Sequence, residues 1–174
     1  MTMKLMASFI MGCSLFLFGC SKMTEDELWQ KVEQSRAGNN FDSTIQVCHR
    51  IVQEYPNGQR ASAALYLLGE TYQNGKHDYH TAINYYQAFV KKYPGLNATP
   101  IAMFIIGFIY NNNLQMIDSA KIAYQEFVAK FPSHELASSA KFEIENLGKS
   151  PDEIIGTNKD VAVKGGKSKS PKKK

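Results

Sequence analysis

Four groups of residues in this sequence have types and spacing suited to chemistry. His77, Asp78 and His80 put three potential metal ligands within four residues, a pattern that can hold a zinc-like ion. The plainer reading is a polar turn that begins a helix, with Asp78 as its N-cap. Cys48 is a possible thiol nucleophile, which needs a lowered pKa. It stands where Tyr86 and Tyr124 stand in a repeat described below, so it is expected to be a small buried hydrophobe. Ser133 beside His134 has no third partner and reads as a helix cap. No Gly-rich phosphate loop and no acid–base constellation appears. The chain is therefore expected not to be an enzyme, with no metal and no cofactor. A small metal-binding or enzymatic protein using His77 and His80 is kept as the contrasting class.

The fourth group is Leu17-Phe18-Gly19-Cys20, at the end of an apolar run from Leu5 that follows Lys4. The run is too short to cross a membrane as a helix and has the form of a signal-peptide core. The ending resembles the lipobox of bacterial lipoproteins. That resemblance implies a signal peptide over 1–19, lipidation (diacylglycerol and palmitate-type acyl chains) at Cys20, and a lipidated linker over 20–27. Each buried CH₂ contributes about 0.8 kcal/mol, so several chains anchor a domain almost permanently. Ser21 after the Cys resembles lipoproteins sorted to the outer membrane, which implies a bacterial envelope location facing the periplasm.

The elements that must position the rest follow from an internal repeat. Tyr55-Pro56, Tyr93-Pro94 and Phe131-Pro132 recur at equal steps of 38 residues. Ala64, Ala102 and Ala140 keep that step, as do Tyr66, Phe104 and Phe142. Gly69 matches Gly107, Ala82 matches Ala120, Tyr86 matches Tyr124, and Phe89 matches Phe127. Within a unit, apolar residues recur at three- and four-residue intervals, the mark of one buried helical face. The sequence predicts helices near 25–38, 41–55, 59–74, 78–93, 98–112, 116–131 and 133–148. Asn74-Gly75 is expected to stop one helix with a left-handed Gly. Pro94 is expected to stop the next, and Thr24-Glu25-Asp26-Glu27 to start the first as a capping box.

Leu68-Gly69-Glu70-Thr71-Tyr72 with Ala82, Tyr86 and Pro94 resembles the tetratricopeptide repeat, and Ile106-Gly107 through Pro132 repeats it. The resemblance implies an all-α fold. It is an α-solenoid of antiparallel helix pairs over 28–148, about three and a half repeats long, closed by a last helix that shows Lys141, Glu143 and Glu145 to water. Longer units ending in Tyr-Pro resemble the envelope subgroup of that family. That group holds the outer-membrane barrel-assembly lipoprotein (BamD-like) and the Tol–Pal-associated periplasmic repeat protein. It implies a scaffold that binds envelope proteins, in outer-membrane protein assembly or else in Tol–Pal-linked cell division. The groove positions it implies are Ala63, Tyr66, Glu70, Gln73 and Asn74 in one repeat. In the next they are Ile101, Phe104, Phe108, Asn111 and Asn112.

The composition agrees with a folded scaffold. Hydrophobic residues are 44% and charged residues 21%, which excludes a wholly disordered chain and a multi-span membrane protein. The net charge of +4 does not describe the domain. Seven Lys against one Asp follow Gly156, so residues 21–155 are mildly acidic. No nucleic-acid partner is expected. The Lys-rich stretch 149–174 is expected to be disordered.

Overall fold

The structure is a computed structural model, and it describes residues 22–150 and 152–153. The signal peptide 1–19, the lipidation candidate Cys20 and nearly all of the tail beyond Ser150 lie outside the described residues.

Among the described residues seven α-helices follow one another: α1 (Glu25–Ala37), α2 (Phe41–Glu54), α3 (Ala61–Thr71), α4 (Tyr79–Lys92), α5 (Ala98–Phe108), α6 (Ile117–Lys130) and α7 (Ala137–Asn146). Each packs against the next in the chain, and there is no strand among the described residues. This is the expected α-solenoid of helix pairs: α1–α2, α3–α4, α5–α6 and a last single helix.

The starts obey local chemistry. Thr24 accepts a hydrogen bond from the Glu27 N–H, and Glu27 accepts one from the Thr24 N–H at 2.8 Å, completing the capping box. Asn40 caps α2 by accepting from the Ser43 N–H, and Asp78 caps α4 by accepting from the Thr81 N–H. Glu25 reaches forward and accepts from the N–H groups of Gln59 and Arg60. Met23 is packed on the domain as well: the Tyr55 hydroxyl donates to the Met23 carbonyl at 2.6 Å.

The stops are equally regular. Tyr55, Tyr93 and Phe131 end α2, α4 and α6 with φ between −127° and −130°. The proline that follows each one pushes it out of the helical region. Two expectations are corrected here. Gly75 is not the left-handed stop of the third helix. α3 instead passes into a π-helical turn, Tyr72–Lys76, and the left-handed residue is His77 at φ 54°. Gly75 is small because a Cβ there would meet the Phe41 ring at 2.5 Å. Ser133 is not a helix cap either: α7 begins at Ala137 without a side-chain cap, and the His134 ring accepts the Leu136 N–H. The loop from Phe131 repeats the backbone hydrogen bonds of the loops from Tyr55 and Tyr93, so the helix cannot start four residues earlier.

The cores follow the repeat. Tyr86, Phe89, Tyr124 and Phe127 are fully buried, with Ala82 and Ala120 beside them. A Cβ on Gly69 would lie 2.9 Å from the Tyr86 ring, and one on Gly107 would lie 2.7 Å from the Tyr124 ring. These glycines let each pair close around its own tyrosine. At the far end, Lys141 and Glu145 are exposed and Glu143 is half-buried. Phe142 is 48% exposed, because no helix among the described residues covers it as α4 and α6 cover Tyr66 and Phe104.

Candidate functional site

The expected groove positions lie on α3 and α5 and on the π-helical turns that follow them, and the structure separates these into two groups. Tyr66 and Glu70 line a cavity of about 400 Å³ with Ala63, Trp29 and Arg36. A smaller adjoining cavity of about 190 Å³ shares Arg36 and Glu70 and adds Asn74. This group is therefore brought together between α1 and α3. Its walls are an indole, a phenol, one cation and one anion, which suits an extended peptide with mixed side chains. Trp29 is held by its own Nε1–H donation to Glu33 at 3.0 Å, and Arg60 lies over its ring.

Tyr66 divides its ring between two tasks. One side packs edge-on against Tyr86 and Phe89 at 5.4 and 5.3 Å, and the other side faces the cavity. Burial, helped by Glu70, raises its hydroxyl pKa, so the phenol stays a neutral donor. Gln73 is turned inward: its Oε1 accepts the Tyr86 hydroxyl at 3.1 Å.

The second group runs along α5 and its π-helical turn, Ile109–Asn113. Phe104 is half-buried against Tyr124 and Phe127. Phe108 is 41% exposed, and Ile101, two turns earlier on the same face, is also exposed. Asn111 donates to Glu143 on α7 at 3.3 Å, and Asn112 donates to the Phe108 carbonyl. Both amides thus have partners within the chain.

Trp29 and Arg36 were not among the sequence-derived positions, for a physical reason. The π-helical turns add one residue to the ends of α3 and α5, while α1 ends without one. The register of α1 is therefore displaced by one residue against the step of 38. Trp29 takes the place of Tyr66 and Phe104, and Arg36 that of Gln73. The signal that could have found Trp29 is aromatic identity at a step of 37.

The other candidate groups are accounted for locally. His77 takes the left-handed position before α4, and Asp78 is spent on the cap. Thr81, through its hydroxyl and its N–H, holds the Asp78 carboxyl below its ordinary pKa. Among the described residues, no cluster of three or more His, Cys, Asp or Glu is placed to hold a metal. Cys48 is fully buried and free, and burial pushes its thiol up to about 12, so it remains a protonated hydrophobe.

Comparison with protein families agrees with this architecture. Residues 63–95 and 101–134 match the model of the tetratricopeptide repeat. No curated protein matches the chain. The two matched segments are α3 to the end of α4 and α5 to the loop after α6. They support a tetratricopeptide repeat protein, and such repeats suggest a protein–protein interaction scaffold.

Proposed function

We propose that this chain is a non-catalytic adaptor of the bacterial envelope. It is anchored by lipid at Cys20, and it holds an extended segment of a partner protein against α1, α3 and α5. The observation that carries the proposal is the cavity that joins Trp29, Arg36, Tyr66 and Glu70. It is open, part aromatic and part charged, and it lies on repeats of a kind that bind proteins. The lipobox-like Leu17-Phe18-Gly19-Cys20 supports the anchor. Met23 and Glu25 are already packed on α2 and the α3 loop, so an anchor at Cys20 would hold this domain close to the membrane surface. The process we assign is outer-membrane protein assembly.

The test is a crosslinking pull-down from detergent-solubilised envelopes. The intact chain is compared with a Glu70→Ala, Phe108→Ala variant and with Cys20→Ala. Barrel-assembly components should be recovered, fewer with the first variant. The Cys20→Ala chain should lose its palmitate label and leave the membrane fraction. Recovery of Tol–Pal proteins instead would move the role to envelope constriction. Recovery of neither set, or no effect of the groove variant, would end the groove assignment.

A further inference from the structure

Two successive grooves between second helices of the pairs are built from equivalent positions, and they differ by one ring. Between α2 and α4, Tyr85 stacks on Tyr72 with ring centroids 5.4 Å apart and planes 11° apart. Its hydroxyl meets the His49 Nε2 at 3.0 Å. One step of 38 residues later, between α4 and α6, those three positions are Ala123, Tyr110 and Gln87. The floor tyrosine is kept and the ring above it is gone. What remains is a cavity of about 570 Å³, lined by those three residues with Val90, Met103 and Ile106. On its rim Ile122 is 58% exposed, where the preceding groove has the polar Asn84.

The charges differ as well. At the end of the first groove, Lys92 donates to the Pro56 carbonyl at 2.7 Å, and its companion is the neutral Gln53. In the second groove the equivalent residues are Lys130 and Lys91, and both line the cavity. Neither is in a salt bridge among the described residues. Glu126 is the one carboxylate in the lining, so the groove is cationic in balance.

We infer that the groove between α4 and α6 is a docking site for an aromatic side chain, tyrosine by preference, on a protein segment that carries carboxylates beside it. The ring lies on Tyr110 as Tyr85 lies on Tyr72, in the offset-stacked arrangement aromatic pairs favour, and it fills the space above Ala123. The phenol hydroxyl meets Gln87, whose amide can donate or accept. The flanking carboxylates face Lys91 and Lys130, which speed encounter and fix orientation more than they add affinity. This site lies between α4 and α6 over Met103, Ile106 and Tyr110 of α5 and its π-helical turn, apart from Tyr66 and Glu70, and does not rest on the adaptor reading above.

The test titrates the full chain, in detergent and labelled at its Met and Ile methyls, with the peptide acetyl-Glu-Ala-Tyr-Ala-Glu-amide. Matched peptides carry Phe, Leu or Ala at the centre. The tyrosine peptide should shift the Met103, Ile106 and Ile122 methyls saturably, ahead of Phe, then Leu, with Ala silent. Ala123→Tyr, which rebuilds the ring of the preceding groove, should weaken binding roughly tenfold. Ile122→Asn on the exposed rim should weaken it roughly threefold, and it keeps the test decisive if Ala123→Tyr fails to fold. Lys91→Gln should flatten the salt dependence. The inference is overturned by an absence of saturable shifts at these methyls, or by equal binding of the Ala peptide. It is also overturned by undiminished binding to folded Ala123→Tyr, or by lauric acid producing the same shifts more tightly, which would make this an acyl-chain site.

Discussion

The Tyr86 hydroxyl donates to Gln73 Oε1 across 3.1 Å, and one repeat later the equivalent hydroxyl, on Tyr124, is buried without a partner. The residue that should receive it is Asn111. It is one methylene shorter than Gln73 and turned to Glu143. Burial raises both phenol pKa values far above the ordinary range, so both groups stay neutral and each wants a hydrogen bond. An unsatisfied buried hydroxyl costs about 1–3 kcal/mol. Tyr124→Phe is therefore expected to be neutral or stabilising, and Asn111→Gln to add about 1 kcal/mol. Tyr86→Phe should cost about 1 kcal/mol, since it leaves Gln73 unpaired. Thermal unfolding of the three variants checks the order. Equal losses for the two Tyr→Phe changes would refute it.

Met116 offers a second asymmetry. Its backbone, φ −90° and ψ 75°, is nearly that of the N-caps Asn40 and Asp78, at ψ 83° in both, yet it has no side-chain cap. The site is exposed, so a polar side chain there displaces no packing. Met116→Asp is expected to stabilise by about 1 kcal/mol, the usual worth of an N-cap, and to add a charge that suits the helix dipole. Urea unfolding should show a higher midpoint with an unchanged slope. An unchanged midpoint would mean that the α6 start is limited elsewhere.

How far the sequence could be read depended on the step of 38. Where it holds, it located the helix pairs and the Tyr-Pro stops, and it matched Gly69 with Gly107 and Tyr86 with Tyr124 without showing that each glycine faces its tyrosine. It failed where a backbone event leaves no compositional trace. A π-helical turn has the same residues as a helix end, so Tyr72–Lys76 read as a glycine stop. The extra residue then misaligned α1 and hid Trp29 and Arg36. The exposed positions His77 and Gln115, at φ 54° and 53°, are left-handed without being glycine, which residue type signals only weakly for His and not for Gln. Inward-turned amides such as Gln73 depend on a partner across the pair, and spacing alone does not show which way they face.

Acid should loosen the helix starts. Thr24 holds the Glu27 carboxyl below its ordinary pKa through backbone and side-chain hydrogen bonds, and Thr81 does the same for Asp78. A folded-state pKa below the unfolded one gives stability that is present above the unfolded value and lost as pH falls through the folded one. Melting temperature should thus hold near neutrality and decline below about pH 5. Asp78→Asn keeps an N-cap, as Asn40 does, but cannot titrate. It should make the acid limb shallower while leaving the neutral melting temperature nearly unchanged. A curve parallel to the parent would remove Asp78 as a contributor.

The packing of glycine on buried tyrosine yields the sharpest expectation. A Cβ on Gly107 would stand 2.7 Å from the Tyr124 ring, one on Gly69 2.9 Å from the Tyr86 ring, and one on Gly95 would meet nothing within 4 Å. Alanine in a helix interior gains about 1 kcal/mol over glycine, but overpacking a buried ring costs about 1–3 kcal/mol. Gly107→Ala should therefore destabilise more than Gly69→Ala, while Gly95→Ala should be neutral or better. The first repeat shows the alternative solution. In its displaced register Val32 stands in the place of Gly69 and Cys48 in that of Tyr86, both fully buried, so the volume sits on the first helix and not on the second. Transplanting that exchange, Gly107→Ala should cost at least about 1 kcal/mol less in a Tyr124→Cys background than alone, a coupling of the size contacting residues show. Additive losses in that double-mutant cycle would mean that Gly107 is required by the helix backbone and not by the tyrosine.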